Sequence, residues 1–219
     1  MVVRGMFEEQ LNELHKDLLN MGTHVEEAVY QAVKALVNKD EVLAKTVIVG
    51  DQFINELEVD IEKKCLTLIA LQQPVGSDLR RIATTLKIST DLERMGDHAV
   101  SIAETALKLK NETYGKPLID IEKMADIVKK MVHDVLNAYI YLSEVDAKRI
   151  AKIDDQVDQL YLTVCNEITE LMKKDNQLIY QGTHLLLAAQ FIERIGDYAT
   201  NICESIIYMV TGRVVEMNN

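Results

Sequence analysis

The sequence predicts an all-α protein of two tandem three-helix bundles that arose by internal duplication. Helix breakers are few, since the 219 residues contain two prolines and nine glycines. A phrase is also repeated: residues 92–104 read LERMGDHAVSIAE, and residues 192–204 read IERIGDYATNICE. Apolar residues recur at the 4-3 spacing that packs helices into bundles. Repetition at a fixed separation indicates two copies of one structural unit.

Each half is expected to hold three long helices. In the first half these cover about residues 7–37, 41–71 and 75–110. Asp40 can cap the second helix, and Pro74 ends it because a proline does not continue a helix. The third helix carries an apolar stripe that predicts core, formed by Ile88, Leu92, Met95, Ala99, Ile102, Ala106 and Leu109.

The second half repeats this plan. Helices are expected over about residues 118–142 and 144–173, with a last one after a turn at 174–176 and ending near residue 210. Ser143 resembles the first residue of a capping box. Residues 111–117, with Gly115 and Pro117, form the linker. The predicted domains are therefore residues 1–112 and residues 118–219.

Composition restricts the function and the cellular location. The formal net charge is −11 and the sequence pI is about 4.9, which argues against nucleic acid as a partner. The three cysteines have no paired spacing and are expected to be reduced thiols in a cytoplasmic protein. No apolar run is long enough to span a bilayer, so contact with a membrane is expected to be indirect.

The repeated phrase carries a pair of acids in each copy. Glu93 and Asp97 are four residues apart, as are Glu193 and Asp197. Residues four apart lie on one face of a helix. One such pair is weak evidence in an acidic chain, but its duplication points to a shared chemical role.

The helices that precede and carry these pairs are joined by short turns and should run antiparallel. Side chains equidistant from the turn then lie at the same height. This places Asp51 level with Asp97, and Asn55 level with Glu93, as a first acidic cluster. Likewise Asp154 lies level with Asp197, and Asp158 level with Glu193, as a second acidic cluster.

The two clusters predict metal sites, because carboxylates held this close repel one another unless a cation intervenes. Oxygen ligands suit Mg²⁺, Ca²⁺ or Mn²⁺, and carboxylate clusters also hold iron and zinc. Arg94 and Arg194 are expected to point about 100° away on the helix. Both clusters are expected on solvent-open flanks of the bundles. The alternative is a solvated acidic face that binds no ion.

No other motif indicates an enzyme. A Gly-rich phosphate loop and a nucleophile with a partner base are both absent from the sequence. His98 is expected to be a surface residue. The alternative is a metal ligand, and a phosphotransfer histidine is the least favoured interpretation. The competing functional class is a carboxylate-bridged metalloenzyme on a helical bundle.

The chain closely resembles the PhoU family of bacterial phosphate-uptake regulators. The resemblance rests on QQPVGSDLRRI at residues 72–82, on DLERMGDHAVSIAE at 91–104, and on FIERIGDYATNICE at 191–204. The opening FEEQLNELHKDLLNMG at 7–22 also fits. The similarity covers nearly the whole chain.

This resemblance implies a cytoplasmic, non-enzymatic and commonly homodimeric protein. Its implied partners are the ATPase subunit of the phosphate ABC transporter and a membrane sensor histidine kinase. It would damp phosphate uptake and starvation signalling when phosphate is plentiful. Some relatives carry iron or zinc clusters on E/DxxxD motifs, which fall here on Glu93, Asp97, Glu193 and Asp197, with Asp154 and Asp158 facing. Asn55 departs from the pattern and puts full occupancy of the first cluster in doubt.

Overall fold

The computed structural model describes residues 2–217, which contain seven α-helices and no strand. The helices are α1 (Val2–Asn38), α2 (Glu41–Gln72), α3 (Ser77–Leu109), α4 (Ile119–Ile140), α5 (Glu144–Ala151), α6 (Asp154–Lys174) and α7 (Ile179–Thr211). A short 3₁₀ turn, Asn176–Leu178, precedes α7. The predicted all-α class is confirmed.

The helix ends follow local chemistry. Asp40 Oδ1 accepts the Leu43 N–H at 2.9 Å and caps α2, as predicted. Ser143 Oγ accepts the Asp146 N–H at 3.2 Å and caps α5. Gln73 ends α2 in the left-handed region, at φ 47°, and Gly76 follows at φ 59°. That positive φ at Gly76 delays the start of α3 to Ser77, two residues later than predicted.

One predicted helix is wrong, because the segment expected as a single helix over residues 144–173 is divided into α5 and α6. At the junction the Ile153 N–H bonds to the Ile150 carbonyl at 2.8 Å, and the Gln156 N–H bonds to the Ile153 carbonyl at 3.0 Å. These hydrogen bonds join residues three positions apart, as in a 3₁₀-helix, and wind the backbone more tightly than an α-helix. The tightening immediately precedes Asp154, a predicted site residue, and therefore affects how that side chain is placed.

The helices form two bundles that share an extensive interface. α1, α2 and α3 pack together, as do α4, α5, α6 and α7. Between the bundles, α3 packs along α7 and α1 packs against α4. The predicted core stripe of α3 is buried along its whole length. The two bundles therefore share one continuous hydrophobic core.

Tyr139 anchors one bundle in the other. This α4 residue is 1% exposed, and its ring stacks on His15 of α1 at 5.1 Å between centroids. Its hydroxyl lies 2.9 Å from Thr85 Oγ1, which itself donates to the Arg81 carbonyl at 2.9 Å. The Tyr139 O–H is therefore the donor to Thr85. Burial, and secondarily Arg81, lowers the pKa of His15 to about 4, so this contact contains no cation near neutral pH.

The linker between the bundles is also held in place. Gln181 of α7 accepts the Gly115 N–H at 2.9 Å and donates to the Thr113 carbonyl at 3.0 Å. The Tyr114 hydroxyl donates to the Leu36 carbonyl of α1 at 2.6 Å. The proposed boundary between residues 112 and 118 thus lies in a segment bonded to both halves.

Two further findings concern predictions made from composition, on membrane-spanning helices and on the state of the cysteines. Within residues 2–217, none of the helices combines the length and apolarity required to cross a membrane. All three cysteines are free; Cys65 and Cys203 are buried, and Cys165 is half-buried.

Candidate metal centre

The first acidic cluster is brought together by α2 and α3. Asp51 and Asn55 lie on α2, and the Asn55 side-chain amide donates to Asp51 Oδ2 at 3.0 Å. Glu93 and Asp97 lie on α3, and Asp97 acts electrostatically on both Asp51 and Glu93. Asp51 Oδ1 and Asn55 Oδ1 are buried and have no hydrogen-bond partner among the described residues.

The second acidic cluster is brought together by α6 and α7. Asp154 opens α6 and Asp158 follows one turn later, while Glu193 and Asp197 lie on α7. Asp158, Asp197 and Glu193 all act electrostatically on the Asp154 carboxyl. The predicted residues of each cluster therefore lie on facing helices and within electrostatic range of one another.

Burial of Asp154 differs from the expected solvent-open flank. Its residue exposure is only 8%, whereas Asp158 is exposed and Glu193 and Asp197 are half-buried. Asp154 Oδ2 accepts a hydrogen bond from the Thr200 hydroxyl at 2.9 Å, and Oδ1 has no partner within residues 2–217. The second cluster thus runs from a buried carboxylate to an exposed one.

The glycine in each repeated phrase allows an aspartate of the facing helix to lie close to the helix backbone. A Cβ on Gly196 would lie 2.5 Å from Asp154 Oδ1, and one on Gly96 would lie 3.3 Å from Asp51 Oδ1. Glycine in a helix interior costs about 1 kcal/mol relative to alanine. Here its missing side chain leaves the space in which the aspartate of the facing helix sits.

In the second cluster, Asp154, Asp158 and Glu193 bind protons more tightly than isolated acids. Burial, followed by Asp158, Asp197 and Glu193, raises the pKa of Asp154 from 3.8 to about 7. Burial, then Asp197, raises the pKa of Asp158 and of Glu193. In the first cluster, burial and then Asp97 raise the pKa of Asp51 and of Glu93. Proximity and partial burial thus create an electrostatic need for a cation.

The arginines do not point away from the clusters as expected. Arg194 Nη1 donates to Asp197 Oδ2 at 3.0 Å, and Arg94 Nε lies 3.6 Å from Glu93 Oε2. Their long, flexible side chains bend along the helix, Arg194 towards a later residue and Arg94 towards the preceding one, so the position of Cβ alone does not determine where the guanidinium lies. A metal ion would have to compete with Arg194 for Asp197.

His98 is half-buried, so its predicted surface position is also wrong. Its ring stacks on Phe191 at 5.5 Å between centroids and lies 5.8 Å from the Tyr198 ring. Burial lowers the pKa of His98, which opposes protonation. The packing of α3 on α7, invisible in either repeat alone, places this histidine between the bundles.

The chemical type of these oxygen donors suits a hard or borderline metal ion. The orphaned buried oxygens of Asp51, Asn55 and Asp154 are unused acceptors of the type such an ion would take. Across residues 2–217, however, no three or more His, Cys, Asp or Glu side chains are already grouped so that they could hold a metal. Ligation would therefore require side-chain rotation, including release of Asp197 from Arg194.

Two segments of the chain, residues 18–106 and 121–206, match the PhoU domain. The chain belongs to the PhoU family. Each match contains one of the repeated phrases, so the duplication seen in the sequence corresponds to two PhoU domains. The acidic clusters thus lie within the matched segments.

Relatives resemble this PhoU chain over nearly its full length. The phosphate-specific transport system accessory protein PhoU homolog of Clostridium acetobutylicum is 42% identical over 219 residues, covering 100% of both chains. The accessory protein PhoU of Escherichia coli is 36% identical over 211 residues, covering 96% of this chain and 88% of its own. These names describe accessory proteins rather than enzymes.

Two crystal structures share the fold. PhoU from Pseudomonas aeruginosa matches with a TM-score of 0.92 and 36% identity, over 94% of this chain and 100% of that one. The phosphate transport system regulatory protein PhoU from Streptococcus pneumoniae matches with a TM-score of 0.90 and 36% identity, over 96% and 99%. The predicted family and PhoU-like helical fold are confirmed.

Sequence reasoning missed three contributors to the second cluster: Thr200, Gly196 and Arg194. Gly196 left a detectable signal, because a glycine recurring at the same place in two helices indicates close approach of another group. Thr200 lies one turn after Asp197 but has no counterpart of the same chemistry, since Val100 occupies that place in the first repeat.

Proposed function

We propose that this chain is a regulatory accessory protein of phosphate transport. It damps phosphate uptake and phosphate-starvation signalling when phosphate is plentiful, by binding the ATPase subunit of the phosphate ABC transporter and a membrane sensor histidine kinase. The observation that carries the proposal is full-length similarity to proteins named for that transport system, with both PhoU domains present.

The proposed mode of action is adaptor binding rather than catalysis. The ATPase subunit of a transporter faces the cytoplasm, so the chain acts there and reaches the membrane through its partners. Two related domains in one chain suit a homodimer or two different partners. The relatives' names as accessory and regulatory proteins favour this function over the metalloenzyme.

Deleting the gene should raise phosphate uptake in phosphate-rich medium, because a negative regulator is lost. The measurement is uptake of radiolabelled phosphate, together with retention of the purified ATPase subunit on the immobilised full chain. Complementation with the wild-type gene is the control. Unchanged uptake in the deletion strain, or no retention of the ATPase subunit, would contradict the proposal.

We further propose that the two acidic clusters bind divalent metal and thereby fix the geometry of a docking surface. In the second cluster, Asp154, Asp158, Glu193 and Asp197 supply the oxygens. In the first, Asp51, Glu93 and Asp97 do so with the Asn55 amide oxygen. Iron or zinc is implied by family resemblance, while Mg²⁺, Mn²⁺ or Ca²⁺ would suit the oxygen donors.

The second cluster should bind Mn²⁺ about ten times more tightly than the first, because a fourth carboxylate adds charge that Asn55 lacks. Titration of the full chain, followed by electron paramagnetic resonance, measures both sites. Asn55→Asp should tighten the weaker site, and Asp158→Asn should weaken the stronger one. Equal affinities that neither substitution changes would count against the assignment.

The comparison must use the full chain rather than separated halves. Tyr139 and the packing of α3 on α7 bury surface between the bundles, and separation would expose it to water. Asp175→Asn, an exposed acid in the turn before α7, serves as a matched control for loss of one charge outside both clusters.

A further inference from the structure

A second site lies where the N-terminal half of α3 meets the C-terminal half of α7. A cavity of about 290 Å³ opens there, and the chain after α7 covers one side of it. Its polar lining includes Thr84, Lys87, Glu204 and Tyr208. These residues belong to neither acidic cluster, and the inference does not depend on the proposed function.

Thr84 is a buried polar group without a partner. It is 3% exposed, and its Oγ1 has no hydrogen-bond partner among residues 2–217. A threonine inside a helix usually bonds a carbonyl of the preceding turn, as Thr85 does with Arg81. Leaving a buried hydroxyl unpaired is unfavourable, so the free hydroxyl lining this cavity needs an explanation.

The cavity also carries opposite charges that do not pair with each other. Lys87 has no ion pair with any described carboxylate, although Lys87 and Glu204 both act electrostatically on buried Asp91. Glu204 forms no ion pair within the described chain either; its Oε1 accepts the Met217 N–H at 2.6 Å. Lys87 and Glu204 thus place one cation and one anion on the cavity lining, while Asp91 lies outside that lining.

The covering segment, residues 213–217, supplies an apolar wall. α7 ends at Thr211, and Gly212 caps it with a φ of 72° that turns the chain back towards α3. Val214 and Val215 line the cavity, and Val215 and Met217 pack against the core. This segment gives the cavity an aliphatic side opposite its charged groups.

We propose that this cavity binds a small zwitterion with an aliphatic body, such as a free aliphatic α-amino acid. The ligand carboxylate pairs with Lys87 and accepts a hydrogen bond from the Thr84 hydroxyl. Its ammonium group pairs with Glu204, and its side chain contacts the two valines. A lining with separated charges of both signs favours a ligand that carries both charges over a simple anion or cation.

The test uses probes that differ in one charge. L-valine and L-leucine are titrated into the full-length protein by calorimetry, beside 4-methylpentanoate and 3-methylbutylamine, which lack the ammonium and the carboxylate respectively. The amino acids should bind at least tenfold more tightly than either single-charge probe. Absence of binding by both amino acids, or equal binding by all probes, would overturn the proposal.

Variants separate binding from folding. Thr84→Val keeps the shape and removes the unpaired hydroxyl, so it should weaken L-leucine about tenfold while leaving the thermal midpoint unchanged or higher. Lys87→Met and Glu204→Gln should each weaken L-leucine at least tenfold. Lys108→Met, an exposed lysine of the same helix, is the control and should leave affinity unchanged. Wild-type affinity in Thr84→Val and Lys87→Met would refute the site.

Discussion

Gly196→Ala should destabilise the protein by about 2 kcal/mol and weaken metal binding at the second acidic cluster about a hundredfold. The new methyl group would lie 2.5 Å from Asp154 Oδ1. Cβ atoms in proteins essentially never come so close to another heavy atom, so the carboxylate must move. Movement breaks the 2.9 Å hydrogen bond from Thr200 and displaces a proposed ligand. Urea unfolding measures the first effect and Mn²⁺ titration the second.

The matched control is Gly96→Ala in the first repeat. Its methyl group would lie 3.3 Å from Asp51 Oδ1 and 3.4 Å from Ile54, which needs only a small adjustment. The helix-propensity gain of alanine, about 1 kcal/mol, offsets that strain. We expect a change in stability below about 1 kcal/mol. Equal losses for the two variants would show that the close approach at Gly196 has no special role.

Asp154→Asn should stabilise the metal-free protein by about 2 kcal/mol at pH 8, and by about half of that at pH 5.5. The folded protein holds this proton up to a pKa of about 7, whereas the ordinary value is 3.8. Stability therefore falls as pH rises between these values, because the unfolded chain releases the proton first. The amide avoids this cost, and its oxygen still accepts the Thr200 hydroxyl. We discount the full pKa difference because the cluster is partly open to solvent.

Urea unfolding in the presence of a chelator, at both pH values, measures this effect. Asp158→Asn is the control, since its exposed carboxyl should give a smaller gain with weaker pH dependence. Excess Mn²⁺ should reverse the ranking, because the wild type regains a ligand that the Asp154→Asn variant lacks. Destabilisation of the metal-free variant at pH 8 would contradict the electrostatic cost assigned to Asp154.

Much of the fold could be predicted from the sequence, because the residues that specify it act on neighbours a few positions away. Asp40 and Ser143 cap helices through bonds to residues three positions later, and Pro74 stops α2 whatever surrounds it. The α3 stripe from Ile88 to Leu109 repeats at the helical period and is buried throughout. Facing positions such as Asp51 and Asp97 followed from counting back from a turn.

The division of α5 from α6 left no such signal. No glycine or proline occurs between residues 144 and 174, and the apolar period continues through the break. The equivalent part of the first repeat, around Gly50, stays helical within α2. The two repeats therefore differ at this position, although the sequence alone predicts a continuous helix in both.

By itself, the sequence determined most of the helices, their duplication and the acids that share a face, because each depends on neighbours a few residues away. Tertiary structure alone decided that Asp154 is buried against Gly196 and that His98 lies between the bundles. These properties depend on the distance between helices far apart in the chain. That distance is set by how both bundles share one core, which no local pattern encodes.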